Sequence, residues 1–121
     1  KYAIDSLKER DFVFVHVEAP DEAGHNGDLR AKIAAIENFD RFIVGAVLEK
    51  FKKQKDFRIM VLPDHSTPVS VRTHTAEPVP FAVFGKGVEP NNAEAYNEVA
   101  AKATGLAFEH GHELMEYFIK K

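Results

Sequence analysis

The stretch FRIMVLPDHSTP, residues 57–68, joins a short apolar run directly to a polar loop. Its first part, residues 57–63, has the length and composition of a buried β-strand. An earlier run, FVFVHV at residues 12–17, is almost continuously apolar. Such runs are typical of strands whose two faces are both covered, as in a parallel sheet. We therefore predict two buried strands, each followed at once by a polar loop.

The segment between these strands, from about residue 29 to residue 54, changes to a helical period. Apolar residues recur there at helical spacing: Ile33, Ile36, Ile43 and Val47. Asp28 precedes the segment and is a suitable N-cap. Strand, helix and strand together form a βαβ unit, which predicts parallel, adjacent strands with both polar loops at the carboxyl edge of the sheet. The alternative is two unrelated polar connections.

The remainder of the chain predicts one more strand and two helices. Residues 79–85 read as the strand, and residues 91–105 as a helix that begins at Asn91 or Asn92 and ends at Gly105. A short amphipathic helix follows at residues 111–121. With no linker or repeat visible, we predict a single α/β unit over residues 1–121.

Composition excludes several classes of protein. The 121 residues carry a formal net charge of −3, which argues against a broad nucleic-acid-binding surface. There is no cysteine, so disulfides and thiolate metal sites are ruled out. No apolar run approaches the roughly 20 residues of a membrane span. The expectation is a cytoplasmic protein without nucleic-acid or membrane partners.

Carboxylate and imidazole groups concentrate in the two polar loops. Asp21 and His25 lie four residues apart in PDEAGHNGD, and Asp64 and His65 are adjacent in PDHSTP, with His74 nine residues further on. Mixed Asp and His donors suit Mn, Zn and Mg in hydrolytic or phosphoryl-transfer centres. Two ions about 4 Å apart can clamp both oxygens of an in-line displacement. The alternative is a pair of solvated turns.

Three other histidines have structural interpretations. His16 lies within the first apolar run and is expected to be a core histidine. His110 and His112 form a His-x-His pair that no carboxylate cluster accompanies, which favours an exposed turn.

The wording of the two loops resembles a known family. DFVFVHVEAPDEAGHNGD, a helix, and then VLPDHSTPVSVRTHTAEPVPF are similar to the C-terminal part of the archaeal-type cofactor-independent phosphoglycerate mutases, in the alkaline phosphatase superfamily. The resemblance runs from about residue 10 to the final GHELMEYF. It implies part of an alkaline-phosphatase-like three-layer αβα sandwich with a mostly parallel sheet.

The resemblance also implies a reaction and a ligand set. The family interconverts 3-phosphoglycerate and 2-phosphoglycerate, in glycolysis and gluconeogenesis, through a phosphoserine intermediate. Two divalent ions serve the site, commonly manganese, with Zn, Co or Mg as alternatives. By resemblance Asp21, His25 and His74 would bind one ion. Asp64 and His65 would bind the second ion.

One part of the family pattern has no counterpart here. No segment matches the early metal-binding aspartate or the serine loop, and Ser66 falls where the family places no nucleophile. The nucleophile region and the cap domain are therefore expected to be absent, with no catalytic residue in the chain, which starts at Lys1. The chain alone is expected to be inactive and to self-associate through surface that the parent enzyme covers. The alternatives are another phosphatase, phosphodiesterase or phosphomutase of the superfamily, or a non-catalytic metal-binding module.

Overall fold

A computed structural model describes residues 1–120. Its elements are α1 Tyr2–Ser6, α2 Ala19–His25, α3 Leu29–Phe39, a π-helical segment Asp40–Val44, α4 Gly45–Phe51, β1 Arg58–Val61, β2 Ala82–Gly85, α5 Glu98–Ala103 and α6 Glu113–Lys120. The fold divides into two compact units. The first contains residues 1–50 and 67–73, and the second contains residues 51–66 and those from 74 onward. The expectation of a single unit over residues 1–121 stays a prediction.

The long helix of the first unit begins as the sequence predicts. The Asp28 carboxylate accepts a hydrogen bond from the Ala31 amide at 2.9 Å, so Asp28 is the N-cap. Helical backbone then runs without a break through α3, the π-helical segment and α4, and ends at Phe51. The predicted helix is confirmed, with its end a few residues earlier than residue 54.

The π-helical segment decides which face of this helix is covered. Partly buried positions lie four residues apart: Ala35, Phe39, Ile43, Val47 and Phe51. In a pure α-helix each step of four overshoots a full turn by about 40°, so such a stripe would wind around the helix. The i→i+5 hydrogen bonds of the π-helical segment place one extra residue in a turn. This extra residue offsets the winding and keeps the partly buried residues on one face. Ile33 and Ile36, at 49% and 51% exposed, lie off this stripe.

Helix α2 occupies a stretch that the sequence analysis reads as a loop. Residues Ala19–His25 are helical, with Pro20 in the first turn and Gly24 near the end. Proline is tolerated in a first helical turn, where its missing N–H has no acceptor. Gly24 is buried against Thr67, and a Cβ there would overlap the Thr67 carbonyl oxygen. The glycine therefore serves close packing and does not end the helix.

The sheet lies in the second unit and is smaller than predicted. Strands β1 and β2 pair antiparallel, with Arg58 opposite Gly85 and Val61 opposite Ala82. The predicted strands at residues 57–63 and 79–85 thus exist, and the α/β class is confirmed. Residues 12–17 form no strand, and residues 1–120 contain no parallel pair, so the predicted βαβ unit is wrong for them. A strand needs a hydrogen-bonded neighbour, and within this part of the chain β1 pairs with β2 alone.

Aromatic side chains close the core of the second unit. The Phe81 ring lies 5.7 Å from that of Phe108 and 6.5 Å from that of Tyr117, between ring centroids. The Tyr96 hydroxyl donates to the Pro80 carbonyl at 3.2 Å, and burial raises the pKa of Tyr96 to about 12. The Arg58 guanidinium donates to the Phe118 carbonyl at 2.7 Å, which ties β1 to α6.

Helix α5 begins later than predicted. Its N-cap is Asn97, whose side chain accepts from the Ala100 amide at 2.8 Å, and not Asn91 or Asn92. Asn91 instead accepts from the Ala93 amide in a local turn. Gly105, with φ +72°, follows the helix as predicted. In residues 1–120 no helix has the length and apolar character needed to cross a bilayer.

The chain is expected to self-associate at high concentration through residues 12–15. Phe14 is 72% exposed and Phe12 46%, in a segment outside the helices and strands. Exposed apolar side chains favour contact with another chain. Light scattering should therefore give a mass above the monomer value, and Phe14→Ser should lower it. Tyr2→Ser, which removes an exposed aromatic outside this segment, is the control. A strictly monomeric wild-type chain would contradict the expectation.

Candidate metal centre

Asp21 and His25 form a pair on one face of α2. They are four residues apart in a helix, the spacing that places two side chains side by side. His25 Nε2 lies 3.4 Å from Asp21 Oδ2. Two ligand atoms with metal bonds of about 2.1 Å are roughly 3 to 3.5 Å apart. The pair therefore has the separation of two ligands of one ion.

The second ring nitrogen of His25 fixes its tautomer. Nδ1 lies 3.1 Å from the Arg72 carbonyl oxygen, which can only accept a hydrogen bond. Nδ1 must therefore carry a proton that it donates to Arg72, and Nε2 is the ring nitrogen that faces Asp21. Histidines that bind metal usually donate their other N–H in this way.

The other oxygen of Asp21 is also held. The Thr67 hydroxyl donates to Asp21 Oδ1 at 2.5 Å, and Thr67 is only 3% exposed. The Thr67 carbonyl in turn accepts from Lys32 Nζ at 2.5 Å. The buried Thr67 hydroxyl thus orients the Asp21 carboxylate, and Oδ2 is directed at His25.

The second unit brings His65 and His74 together. Ser66 and Thr75 form an isolated antiparallel bridge, with the Thr75 amide donating to the Ser66 carbonyl at 3.1 Å. The two histidines flank this bridge, and their rings stack with centroids 3.6 Å apart. Two imidazoles nine residues apart in sequence therefore lie in contact.

Asp64 stands beside the stacked pair but is more open to solvent. Its Oδ2 lies 3.6 Å from His65 Nε2, and its side chain is 62% exposed. Its Oδ1 accepts from the His65 amide at 3.1 Å, which is a local turn contact. Asp64 and His65 are thus in contact, and their sharing of one ion stays a prediction.

The predicted ligand grouping is only partly reflected in each unit. Asp21 contacts His25, and Asp64 contacts His65. His74 stacks on His65, a residue that the family resemblance assigns to the other ion. The grouping of His74 with Asp21 and His25 joins residues of both units and stays a prediction.

Sequence reasoning missed two groups around the pair on α2. The Thr67 hydroxyl was not predicted to contribute, although Thr67 lies between the predicted ligands His65 and His74 in the sequence. The second group is the Arg72 carbonyl, which contacts His25. Side-chain type gives no signal for a backbone acceptor. A threonine inside a string of predicted ligands is the signal that could have indicated the first contact.

The remaining histidines lie apart from these pairs. His16 is exposed and its ring stacks at 6.2 Å on Phe14, so the expectation of a core histidine is wrong. His110 and His112 are exposed, as expected, with their rings stacked 5.6 Å apart.

The donors present fit a divalent ion of intermediate hardness. They are carboxylate oxygens and imidazole nitrogens, without thiolate, and this combination suits Mn, Zn or Co. His25 is held by the Arg72 carbonyl through Nδ1, and its Nε2 lies at ligand separation from Asp21 Oδ2. The residues therefore fit such an ion.

Known proteins are similar to this chain in sequence and in fold. The profile of the Metalloenzyme superfamily matches residues 1–121. The chain is 47% identical over 116 residues to a protein of Methanothermobacter thermautotrophicus named 2,3-bisphosphoglycerate-independent phosphoglycerate mutase 2, covering 96% of this chain and 29% of that protein. It is also 47% identical over 120 residues to the Methanosarcina mazei protein named 2,3-bisphosphoglycerate-independent phosphoglycerate mutase, covering 98% of this chain and 30% of that one.

A solved structure, that of the PH0037 protein from Pyrococcus horikoshii, superposes with a TM-score of 0.91. It is 33% identical in sequence, and the match covers 98% of this chain and 36% of that chain. The chain thus spans about 30% of the length of the curated relatives it matches.

Proposed function

The chain belongs to the Metalloenzyme superfamily, and from that premise we propose that it is the metal-binding C-terminal part of a phosphoglycerate mutase. The enzyme would interconvert 3-phosphoglycerate and 2-phosphoglycerate. The observation that carries the proposal is the Asp21–His25 pair, with its 3.4 Å separation and with His25 Nδ1 held by the Arg72 carbonyl. Two relatives at 47% identity that bear the mutase name support the choice of reaction.

The proposed ligand set keeps five residues. Asp21, His25 and His74 would hold one ion. Asp64 and His65 would hold the second, with manganese as the expected metal and Zn, Co or Mg as alternatives. Bound divalent ions neutralise charge on a transferring phosphoryl group. In this proposal α2 presents Asp21 and His25 as a preset pair, and the bridge at Ser66 and Thr75 keeps two imidazoles in contact.

The nucleophilic serine is proposed to lie outside residues 1–121. A phosphoserine step needs a hydroxyl aligned with the transferring phosphoryl group. Ser66 lies within PDHSTP, where the family resemblance places no nucleophile. By this proposal the chain alone does not turn over phosphoglycerate, and its substrate-binding groups also lie elsewhere.

The finer fold assignment is part of the same proposal. The parent domain would be an alkaline-phosphatase-like αβα sandwich with a mostly parallel sheet. In that setting the apolar segment at residues 12–17 would become a paired strand. Its exposure in the isolated chain, with Phe14 at 72%, supports this because such a run is normally covered.

A chimera tests the proposed function. The matching segment of the Methanothermobacter thermautotrophicus mutase would be replaced by residues 1–121, and 3-phosphoglycerate conversion followed by ³¹P NMR with Mn²⁺. Mutase activity within about tenfold of the parent is expected, because the replaced segment is 47% identical. A chimera carrying His25→Ala should fall at least about 100-fold.

The chimera's control removes imidazoles elsewhere. His110→Ala together with His112→Ala should leave the activity near that of the unmodified chimera. A folded chimera, checked by circular dichroism, that converts no 3-phosphoglycerate would overturn the proposal. Release of inorganic phosphate without 2-phosphoglycerate would favour a phosphatase of the same superfamily.

A further inference from the structure

We propose that residues 67–72 form a positioning loop that sets the Asp21–His25 pair before any ion binds. The inference rests on the proposed metal binding by that pair. The loop belongs to the same compact unit as α2 and reaches both members of the pair. It acts on Asp21 through a hydroxyl and on His25 through a backbone carbonyl, so Thr67 and Arg72 are positioning residues and not ligands.

Thr67 determines which oxygen Asp21 presents. Its hydroxyl donates to Oδ1 at 2.5 Å, while Oδ2 lies 3.4 Å from His25 Nε2. A carboxylate on a short side chain rotates about two torsions unless a neighbour holds it. Because Thr67 is 3% exposed, water cannot readily replace its hydroxyl. One oxygen is occupied by the protein, and the other is left facing the histidine.

Arg72 determines the tautomer of His25. Its carbonyl accepts from Nδ1 at 3.1 Å, and its φ of +60° makes it the sole non-glycine residue with positive φ among residues 1–120. Left-handed backbone at a large residue is disfavoured and persists where surrounding contacts impose it. A right-handed conformation would turn that carbonyl away from His25. The unusual backbone therefore coincides with the group that orients the imidazole.

Several contacts hold the loop in this shape. The Val71 and Arg72 amides donate to the Pro68 carbonyl at 3.0 and 2.8 Å, which closes a tight turn. Lys32 Nζ donates to the Thr67 carbonyl at 2.5 Å. Gly24 lets α2 approach so closely that a Cβ would lie 3.0 Å from Thr67 Cγ2 and overlap its carbonyl. The loop is thus clamped between α2 and α3 at its first residue.

The first test uses a pair of variants at Thr67. Thr67→Val keeps the shape and removes the hydroxyl, whereas Thr67→Ser keeps the hydroxyl. Calorimetric titration of the chain with Mn²⁺ is expected to show a loss of about 10- to 100-fold in affinity for Thr67→Val. Thr67→Ser should recover most of the affinity. If Thr67→Val and Thr67→Ser bind Mn²⁺ with equal affinity and unfold at the same temperature, the Thr67 hydroxyl does not position Asp21. That result would overturn the part of the proposal that concerns Thr67.

The second test reads the tautomer without any metal. Long-range ¹H–¹⁵N NMR of the wild-type chain should place the His25 proton on Nδ1. Arg72→Asn should keep that signature because asparagine tolerates left-handed backbone. Arg72→Val should lose it, since β-branched residues avoid that conformation. A His25 proton found only on Nε2 in the wild-type chain, or still on Nδ1 in Arg72→Val, would overturn the part of the proposal that concerns Arg72.

The two tests separate this inference from the proposed function. If the wild-type chain binds no Mn²⁺ but His25 carries its proton on Nδ1 in wild type and not in Arg72→Val, the positioning loop stands and the metal proposal fails. If the wild-type chain binds Mn²⁺ and neither Thr67→Val nor Arg72→Val changes affinity or tautomer, the metal proposal stands and the loop inference fails.

Discussion

Replacing His25 and His74 together by alanine is expected to abolish Mn²⁺ binding by this chain. The double variant removes one imidazole from the α2 pair and one from the stack with His65. In the proposed ligand set the first ion therefore loses two of its three ligands, and the second ion loses the imidazole that packs on its ligand His65. Even groups that merely support a ligand alter affinity by about 10- to 100-fold, so loss of ligands should exceed that range. Calorimetric titration with Mn²⁺ and with Zn²⁺ measures the effect.

The matched control removes two imidazoles that stack outside the candidate centre. His110→Ala with His112→Ala takes away an exposed pair whose rings lie 5.6 Å apart. Its affinity should equal that of the wild-type chain. Equal weakening of both double variants would mean that Mn²⁺ binds exposed histidines without selection, which contradicts the proposed centre. Circular dichroism on each variant separates loss of ligands from loss of fold.

Gly85→Ala is expected to destabilise the second unit by at least about 3 kcal/mol, at the upper end of single-substitution effects. Gly85 ends β2 with φ +128°, a conformation that residues with a Cβ strongly avoid. The added Cβ would overlap the Phe57 carbonyl oxygen and lie 2.9 Å from Arg58 Cα. Both are backbone atoms of the paired segment, so they cannot move aside without breaking the ladder. Urea denaturation monitored by circular dichroism gives the change in unfolding free energy.

Gly111→Ala is the control for this substitution. A Cβ on Gly111 would meet nothing within 4 Å, and its φ is not in the left-handed region. Its urea midpoint should therefore match or slightly exceed that of the wild-type chain. A Gly85→Ala midpoint equal to the Gly111→Ala midpoint would show that the β1–β2 register adapts to the side chain. The close approach at Phe57 would then not be a constraint on the fold.

Local features of this fold were readable from the sequence. The N-cap at Asp28 and the helix that follows depend on neighbours within a few residues, and both were predicted correctly. The apolar run at residues 12–17 was read as a strand, but strand formation depends on a partner that no periodicity specifies. The prediction of a loop at residues 19–25, where α2 forms, was wrong. Gly24 in this helix makes close contact with Thr67, a residue more than forty positions away.

The candidate site divides in the same way. Residue types gave the donors, and the spacing of Asp21 and His25 already matched two side chains on one helical face. The stacking of His74 on His65 depends on the bridge between Ser66 and Thr75, which sequence spacing does not reveal. The carbonyl of Arg72 was unpredictable for a stronger reason. Arginine has no preference for left-handed backbone, so its side chain does not predict that conformation.

The π-helical segment Asp40–Val44 also fixes where the length of the chain can change. An α-helix turns by about 100° for each residue, so losing one residue at Ala34 would rotate everything beyond it away from its packing partners. The π turn already holds one residue more than α-helical winding requires. A single-residue deletion there would leave regular α-helical winding, with Ala35 and Val47 on one face. We therefore expect a single-residue deletion to destabilise the fold less at this turn than elsewhere in the long helix.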